Sequence, residues 1–178
     1  MTTDAALAAD IDAICRLTGE FVLRSGQIAT EYFDKYLFEA QPALLERVAA
    51  QMVDLLPADT ELLGGLEMGG IPIATMVSAK TGLPALFVRK KAKEYGTMKL
   101  AEGPEVAGKR ITLIEDVITT GGAVRNATVA LREYGASVAT VVCAIDRSPG
   151  GPEENPLADV DLELRSVLTK ADLDAVHG

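Results

Sequence analysis

The chain has a single histidine, and it is the residue before the last. Hydrolases built on a Ser-His-Asp triad need a well-placed histidine, and so do histidine-based metal sites. Residues so close to a chain end are often poorly ordered. We therefore exclude both kinds of site and expect His177 to lie in a frayed tail without a catalytic role.

Cysteines and long apolar runs are scarce as well. Cys15 and Cys143 lie far apart in apolar stretches and have no C-x-x-C partner, which predicts buried structural thiols in a reducing compartment. No run approaches the roughly 18 consecutive apolar residues of a membrane helix. The first ten residues lack the basic and apolar regions of a signal peptide. We expect a cytoplasmic protein that does not bind membranes.

Basic residues are in the minority, with 17 Lys and Arg against 26 Asp and Glu and a formal net charge of −9. Nucleic-acid binding requires a basic surface that displaces counterions, so no nucleic-acid partner is expected. A small anionic substrate is compatible with this charge because only the local field at its site matters. The length of 178 residues and the 48% apolar content predict one globular domain, 1–178.

From residue 61 onward, short apolar segments alternate with segments of helical periodicity. Strands separated by single helices predict an α/β fold whose central, mostly parallel sheet is flanked by helices. Ligands of such sheets bind beyond the carboxyl ends of the strands, here the segments 64–70, 89–96, 115–123 and 146–149. The predicted strands are 61–65, 85–88, 111–117, 138–145 and 162–168, and the pattern before them predicts a helix over 3–18, a hairpin over 21–33 and a helix over 42–56.

The stretch 111–123, I-T-L-I-E-D-V-I-T-T-G-G-A, carries the most specific chemistry. A buried strand leads into adjacent carboxylates, Glu115 and Asp116, and a Thr/Gly turn then precedes a helix. Glycines let backbone N–H groups approach an anion, and a helix N-terminus adds roughly half a positive charge. The carboxylates suit the hydroxyl groups of a ribose. An ordinary strand–helix loop capped by threonine is the alternative, but the full pattern predicts a ribose-phosphate site.

E-D-V-I-T-T-G-G-A resembles the phosphoribosyl-diphosphate (PRPP) motif of the type I phosphoribosyltransferases. The resemblance implies the fold of that family, with an N-terminal helix and small hood over 1–40 and a core over 58–150. It also implies that the acid pair holds the ribose 2′- and 3′-hydroxyls and that the loop cradles the 5′-phosphate. The PRPP-binding residues implied here are Glu115, Asp116, Val117, Ile118, Thr119, Thr120, Gly121, Gly122 and Ala123.

A basic run over 89–93 follows the second predicted core strand in an otherwise acidic chain. A solvated basic face is one interpretation. Because a polar stretch without periodicity comes next, we expect a mobile lid over 89–108. R-K-x-x-K-x-x-G resembles the signature of the orotate-specific members of the family, whose lid reaches the neighbouring subunit's site in a homodimer. The resemblance implies that Arg89, Lys90 and Lys93 neutralise the departing diphosphate as the catalytic residues and that Tyr95, often histidine in relatives, contacts PRPP.

Three further segments fit the same resemblance. The loop of Glu67, Met68, Gly69 and Gly70 looks like the family's diphosphate loop, although adjacent glycines also make ordinary tight turns.

The segment 23–33 resembles the hood of the family. The resemblance implies that Arg24 contacts PRPP and that the rings of Tyr32 and Phe33 cover orotate. The alternative is that both aromatic rings fill the core. Arg147 ends the fourth strand and, with Thr119, is implied to bind orotate, the alternative being a surface salt bridge of Asp146.

The resemblance implies transfer of the 5-phosphoribosyl group from PRPP to orotate in pyrimidine biosynthesis, giving orotidine 5′-monophosphate and diphosphate. Mg²⁺ is the implied cofactor, held mainly through PRPP rather than by protein ligands. The alternatives are a purine-base phosphoribosyltransferase and a non-catalytic PRPP-binding regulator. The basic lid and the hood favour orotate over purines, and the net charge disfavours a nucleic-acid-binding regulator.

Overall fold

The computed structural model describes residues 4–23, 25–90 and 100–177. Six strands form the central sheet: β3 (Leu62–Leu66), β4 (Ala85–Val88), β5 (Ala101–Glu102), β6 (Arg110–Ile118), β7 (Ser137–Asp146) and β8 (Glu163–Thr169). Their order is β5-β4-β3-β6-β7-β8, and every neighbouring pair is parallel except β4 and β5. The predicted α/β fold with a central, mostly parallel sheet is confirmed.

Helices cover both faces of this sheet: α1 (Ala5–Cys15), α2 (Tyr36–Glu39), α3 (Pro42–Leu55), α4 (Gly70–Thr81), α5 (Gly122–Glu133) and α6 (Lys170–Val176). Because successive strand residues point to opposite faces, Leu113 and Ile114 enter separate apolar cores. Ile114 packs with residues of α1, α3 and α4. Leu113 packs with residues of α5, so the helices enclose the sheet on both sides.

The hood is a two-stranded antiparallel hairpin of β1 (Arg16–Val22) and β2 (Ile28–Phe33). The predicted helix over 3–18 is wrong beyond Cys15, because Arg16 and Leu17 pair with Phe33 and Tyr32 of β2. Leu17 continues the helical spacing of α1, but the strand ladder supplies the backbone hydrogen bonds that the helix would otherwise have made.

Two elements are absent from the sequence-based prediction. The helix α2 has four residues and β5 has two, so neither is long enough to show a period. The strand β5 lies inside the predicted lid over 89–108, where it pairs with β4. Next to this pair, the backbone N–H of Arg89 donates a hydrogen bond to the carbonyl oxygen of Leu100. These pairings join the two described ends of the predicted lid.

His177 is held by contacts, so the predicted frayed tail is wrong. Its Nδ1 lies 2.9 Å from Oδ2 of Asp12, a buried residue of α1. Arg16 bonds Asp12 and also Asp174 of α6, which fixes the C-terminal helix against α1. Cys15 and Cys143 are free and buried, as predicted. Of the helices that the structure describes, none has the length and apolarity needed to cross a membrane.

The strand order reverses between β3 and β6, since β4 lies outside β3 and β7 lies outside β6. Open α/β sheets bind ligands at such a switch point, in the crevice beyond the carboxyl ends of the strands. The loops that leave β3 and β6 both start at this crevice.

Candidate active site

The acid pair ends up in the crevice with little exposure to solvent. Asp116 is 0% exposed and Glu115 is 9% exposed. Burial and the charge of Asp116 hold the pKa of Glu115 well above its usual range. Oε2 of Glu115 has no hydrogen-bond partner among the described residues. Buried polar atoms are normally paired, so an unpaired carboxylate oxygen at this edge is suited to a ligand's hydroxyl group.

The loop after β3 packs directly against this pair. A Cβ built on Gly69 would lie 1.8 Å from Oδ2 of Asp116, and one on Gly70 would lie 2.3 Å from the carbonyl oxygen of Ile114. Only glycine allows such close approach of the two chain segments. The peptide between Glu67 and Met68 in this loop is cis. The predicted diphosphate loop and the acid pair therefore lie against each other at the same edge of the sheet.

The loop after β6 leads from the acids into α5. Thr119 and Thr120 are exposed, Gly121 adopts φ +73°, and α5 begins at Gly122. The positive φ of Gly121 ends the turn and starts α5, whose first N–H groups have no partner within the helix. A helix N-terminus of this kind can bind a phosphate.

Arg125, which the sequence analysis missed, braces that loop. Its Nη1 donates to the carbonyl oxygen of Thr120 at 2.6 Å, and its Nε donates to both carboxylate oxygens of Asp159 at 2.9 and 2.8 Å. Nη2 donates to the carbonyl oxygen of Pro156. A cation in the first turn of a helix is unfavourable unless nearby acceptors compensate, and this was the signal available in the sequence.

At the next strand end, Arg147 lies over the ring of Phe33, with its guanidinium carbon 4.8 Å from the ring centroid. Its backbone N–H donates to the carbonyl of Ile118 at 2.7 Å, which places it beside the phosphate loop. Burial and the charge of Arg16 lower the pKa of Arg147 from its ordinary value. Asp146 is buried and accepts from the N–H of Ser148, so it is not a surface residue.

The structure does not bring Tyr32 to the same place. Neighbouring residues of a strand point to opposite faces, and the Tyr32 ring packs on Phe21 with centroids 5.5 Å apart. Phe33 packs instead against the core that contains Phe38. Of the two predicted aromatic residues, Phe33 is therefore the one that meets Arg147.

The base of the predicted lid is anchored to the diphosphate loop. Oε1 of Glu67 accepts from the backbone N–H of Lys90 at 3.0 Å, and Nε of Arg89 lies 3.5 Å from Oε1 of Glu102. A cleft of about 320 Å³ runs between Glu67, Arg89 and Lys90 on one side and Ala123 on the other. It links the lid base to the phosphate loop. The predicted contacts of Lys93, Tyr95 and Arg24 lie outside the described residues.

Two further residues missed by the sequence analysis belong to α2 and its N-cap. Nζ of Lys35 lies 2.5 Å from Oδ2 of Asp116. Glu39 is buried beside the same carboxylate. Burial and the charge of Asp116 raise the pKa of Glu39 to about 8. No local motif marks either residue, because their partner lies some eighty positions away in the chain.

Comparison with known proteins agrees with this geometry. The family model "Phosphoribosyl transferase domain" matches residues 38–164. An orotate phosphoribosyltransferase from Nocardioides sp. is 77% identical over 177 residues, which are 99% of this chain and 98% of that protein. Two crystal structures of Mycobacterium tuberculosis H37Rv orotate phosphoribosyltransferase are similar as well. The complex with inorganic phosphate has a TM-score of 0.82 at 32% identity and covers 96% of this chain and 97% of its own. The complex with PRPP has a TM-score of 0.78 at 30% identity, with 96% and 98% covered.

These likenesses confirm the resemblance seen in residues 115–123 and extend it over almost the whole chain. The chain therefore belongs to the phosphoribosyltransferase family and, within it, to the orotate phosphoribosyltransferases.

Proposed function

We propose that this protein transfers the 5-phosphoribosyl group from PRPP to orotate, giving orotidine 5′-monophosphate and diphosphate for pyrimidine biosynthesis. The observation that carries the proposal is the buried acid pair followed by an exposed Thr/Gly turn and packed against the loop of Gly69. One crevice thus offers carboxylates for a ribose and N–H groups for a phosphate. The relative from M. tuberculosis was solved with PRPP, which supports the same ligand here.

In this proposal Glu115 and Asp116 bind the ribose hydroxyls, and residues 117–123 bind the 5′-phosphate. Thr119 and Thr120 supply hydroxyl donors, while the N-terminus of α5 supplies N–H groups and a favourable dipole. Arg125 keeps the carbonyl of Thr120 turned away from the phosphate by donating a hydrogen bond to it.

Orotate is proposed to bind beside Arg147. A guanidinium group recognises a carboxylate through two parallel N–H donors, and orotate carries one carboxylate on a planar ring. In the described part of the chain, no hydrogen bond or ion pair engages the Arg147 side chain, which leaves its donors available. Phe33 fixes the plane of the guanidinium, and Thr119 lies one residue beyond the Ile118 carbonyl that anchors Arg147.

The chemistry needs no nucleophile from the protein. The bond between ribose C1 and the diphosphate oxygen breaks, and its electron pair leaves with diphosphate while C1 gains oxocarbenium character. A ring nitrogen of orotate then forms the new bond to C1, and its N–H bond breaks as the proton passes to diphosphate or to solvent. Arg89, Lys90 and Lys93 stabilise the departing charge, and the N–H groups of residues 67–70 contact the same group.

Magnesium fits this site as a companion of PRPP. Among the described residues, no cluster of His, Cys, Asp or Glu side chains could hold a metal ion by itself. Asp116 is already paired with Lys35. Mg²⁺ would enter the site together with PRPP, beside Glu115 and the loop of residues 67–70, and would supply positive charge for the leaving group.

We further propose that the protein is cytoplasmic, because the free thiols of Cys15 and Cys143 stay reduced in that compartment. We also propose that it is a homodimer in which each lid serves the partner's site. Mixing an Arg89/Lys93 variant with a Glu115/Asp116 variant tests shared sites. Hybrid dimers then regain part of the activity, and no recovery on mixing contradicts sharing.

The function itself is tested by incubating the protein with PRPP, Mg²⁺ and one base at a time: orotate, uracil, adenine, hypoxanthine or xanthine. We expect loss of orotate alone, with one diphosphate released per orotate consumed. Turnover of a purine would replace the orotate assignment with the purine enzyme. Tight PRPP binding without any turnover would identify a regulator.

A further inference from the structure

A cation at the start of α2 reaches the floor of the proposed ribose site. Lys35 is the N-cap of α2, directly after the hairpin, and its Nζ lies 2.5 Å from Oδ2 of Asp116. The Asp116 side chain is 0% exposed, while that of Lys35 is 31% exposed. Removing one partner of an ion pair is strongly destabilising when the charge that remains is wholly buried. Loss of Lys35 would therefore leave a buried carboxylate without compensation.

The surroundings of Asp116 are otherwise acidic. Glu115 precedes it, and Glu39 converges on it from α2: a Cβ on Gly69 would lie 2.6 Å from Oε1 of Glu39 and 1.8 Å from Oδ2 of Asp116. Burial and the charge of Asp146 raise the pKa of the Cys143 thiol in β7, and the charges of Glu115 and Asp116 raise it further. Within the described parts of the chain, Lys35 is the one cation in an ion pair with this group of acids.

Neighbouring carboxylates oppose one another's ionisation, and a nearby cation favours it. Burial alone would lower the pKa of the Lys35 ammonium, but its hydrogen bond to Asp116 and the charges of Asp116 and Glu115 raise that pKa above its ordinary value. Lys35 therefore stays charged over the whole neutral range.

We propose that Lys35 is a positioning residue for PRPP, whose ammonium group pairs with the buried Asp116 carboxylate and holds it oriented to accept the ribose hydroxyls. The inference rests on the proposed function. Glu39 is the neutral neighbour that completes the arrangement, since burial and the adjacent carboxylate favour its protonated form. Because Lys35 and Glu39 belong to α2 and its N-cap while Asp116 belongs to β6, the unit also ties the segment after the hairpin to the end of β6.

The test compares Lys35→Met, Lys35→Arg and a matched control, Lys80→Met, in the full-length protein. Lys80 of α4 also makes one ion pair, with Glu46 of α3, and its side chain is 28% exposed, but it lies outside the site. PRPP with Mg²⁺ is titrated into each variant by calorimetry, and KM for PRPP, KM for orotate and kcat are measured between pH 6 and 9.

For Lys35→Met we expect a rise of about tenfold or more in Kd and KM for PRPP and a change below about twofold in KM for orotate. Lys35→Arg, which keeps the charge, should recover most of the affinity, and Lys80→Met should match the wild type. Should Lys35→Met fold poorly, Lys35→Gln, which keeps a donor without the charge, takes its place.

Wild-type PRPP affinity in Lys35→Met would overturn the inference while leaving the proposed function intact. Equal losses for PRPP and orotate, or no recovery in Lys35→Arg, would also overturn it, because they indicate a general structural role. A wild-type protein that binds no PRPP would overturn the proposed function first.

Discussion

Replacing Gly69 with alanine tests whether the β3 loop and the acid pair work as one site. The new methyl carbon would lie 1.8 Å from Oδ2 of Asp116, whereas ordinary contact begins at 3.4 Å. About 1.6 Å must therefore come from movement of the loop or of the carboxylate. Gly69 has φ −71°, which alanine adopts freely, so the effect isolates the clash from backbone strain.

Neither side of this contact can yield easily. Asp116 is fully buried and paired with Lys35, and Gly70 already lies against the Ile114 carbonyl. Overpacking of this kind costs about 1–3 kcal/mol of the free energy of unfolding. A displacement of about 1 Å in a catalytic site can cost roughly 100-fold in rate. We expect both losses for Gly69→Ala, in urea unfolding and in kcat/KM for PRPP.

The control is Gly19→Ala in β1, where the new carbon would lie 3.3 Å from the Phe21 ring. It should leave kcat/KM for PRPP within about twofold of the wild type, because that ring can adjust by a few tenths of an ångström. If Gly69→Ala showed wild-type unfolding and wild-type kinetics, the close packing of the loop against Asp116 would be refuted.

Three further variants separate the parts of the site. Arg147→Gln should raise KM for orotate by about 10- to 100-fold, since charged hydrogen bonds contribute roughly 1.5–3 kcal/mol each, and should leave the calorimetric Kd for PRPP unchanged; an equal effect on both substrates would contradict its assignment. Arg125→Met should weaken PRPP by about tenfold through the loosened Thr120 carbonyl, whereas an unchanged Kd would show that the loop needs no brace. Glu39→Gln should change the pH dependence of stability. The pKa of Glu39 is raised to about 8 in the folded state, so the stability due to its protonated form is complete below pH 4.5 and is lost as pH rises toward 8. Between pH 5 and pH 8.5 the free energy of unfolding of the wild type should therefore fall by about 1–4 kcal/mol relative to that of Glu39→Gln, because each tenfold change in proton affinity is worth about 1.4 kcal/mol. Urea unfolding measures both, and parallel pH curves for the two proteins would contradict this.

The candidate phosphate loop, residues 115–123, stands out in the sequence because its parts are contiguous. A buried strand, Glu115 and Asp116, a Thr/Gly turn and a helix follow one another, so local chemistry and topology indicate the site together. Most of the sheet was predictable for the same reason, since its longer strands and helices each carry a local signal, which α2 and β5 are too short to show. The described chain also brings Arg147 to the same edge, as the rule for strand ends predicts.

The remaining site residues depend on contacts between distant segments. Lys35 and Arg125 each act through a partner that only the folded chain supplies, Asp116 in one case and Asp159 in the other. The resemblance to the family's hood implies that the rings of both Tyr32 and Phe33 cover orotate. The alternation of side chains along a strand argues against this, because adjacent residues point to opposite sides. The end of α1 at Cys15 was not predictable in this way, since Leu17 fits both the helical period and the strand period.

The most direct test of the account is calorimetric titration of PRPP, with Mg²⁺, into the wild type and into a Glu115→Gln/Asp116→Asn double variant. Two ribose hydroxyl bonds to carboxylates are worth about 3 kcal/mol or more together, which corresponds to a loss of at least about 100-fold in affinity. Thermal unfolding and circular dichroism of the double variant establish that it is folded. A loss of that size is predicted, and a Kd within about twofold of the wild type would contradict the placement of PRPP at the end of β6.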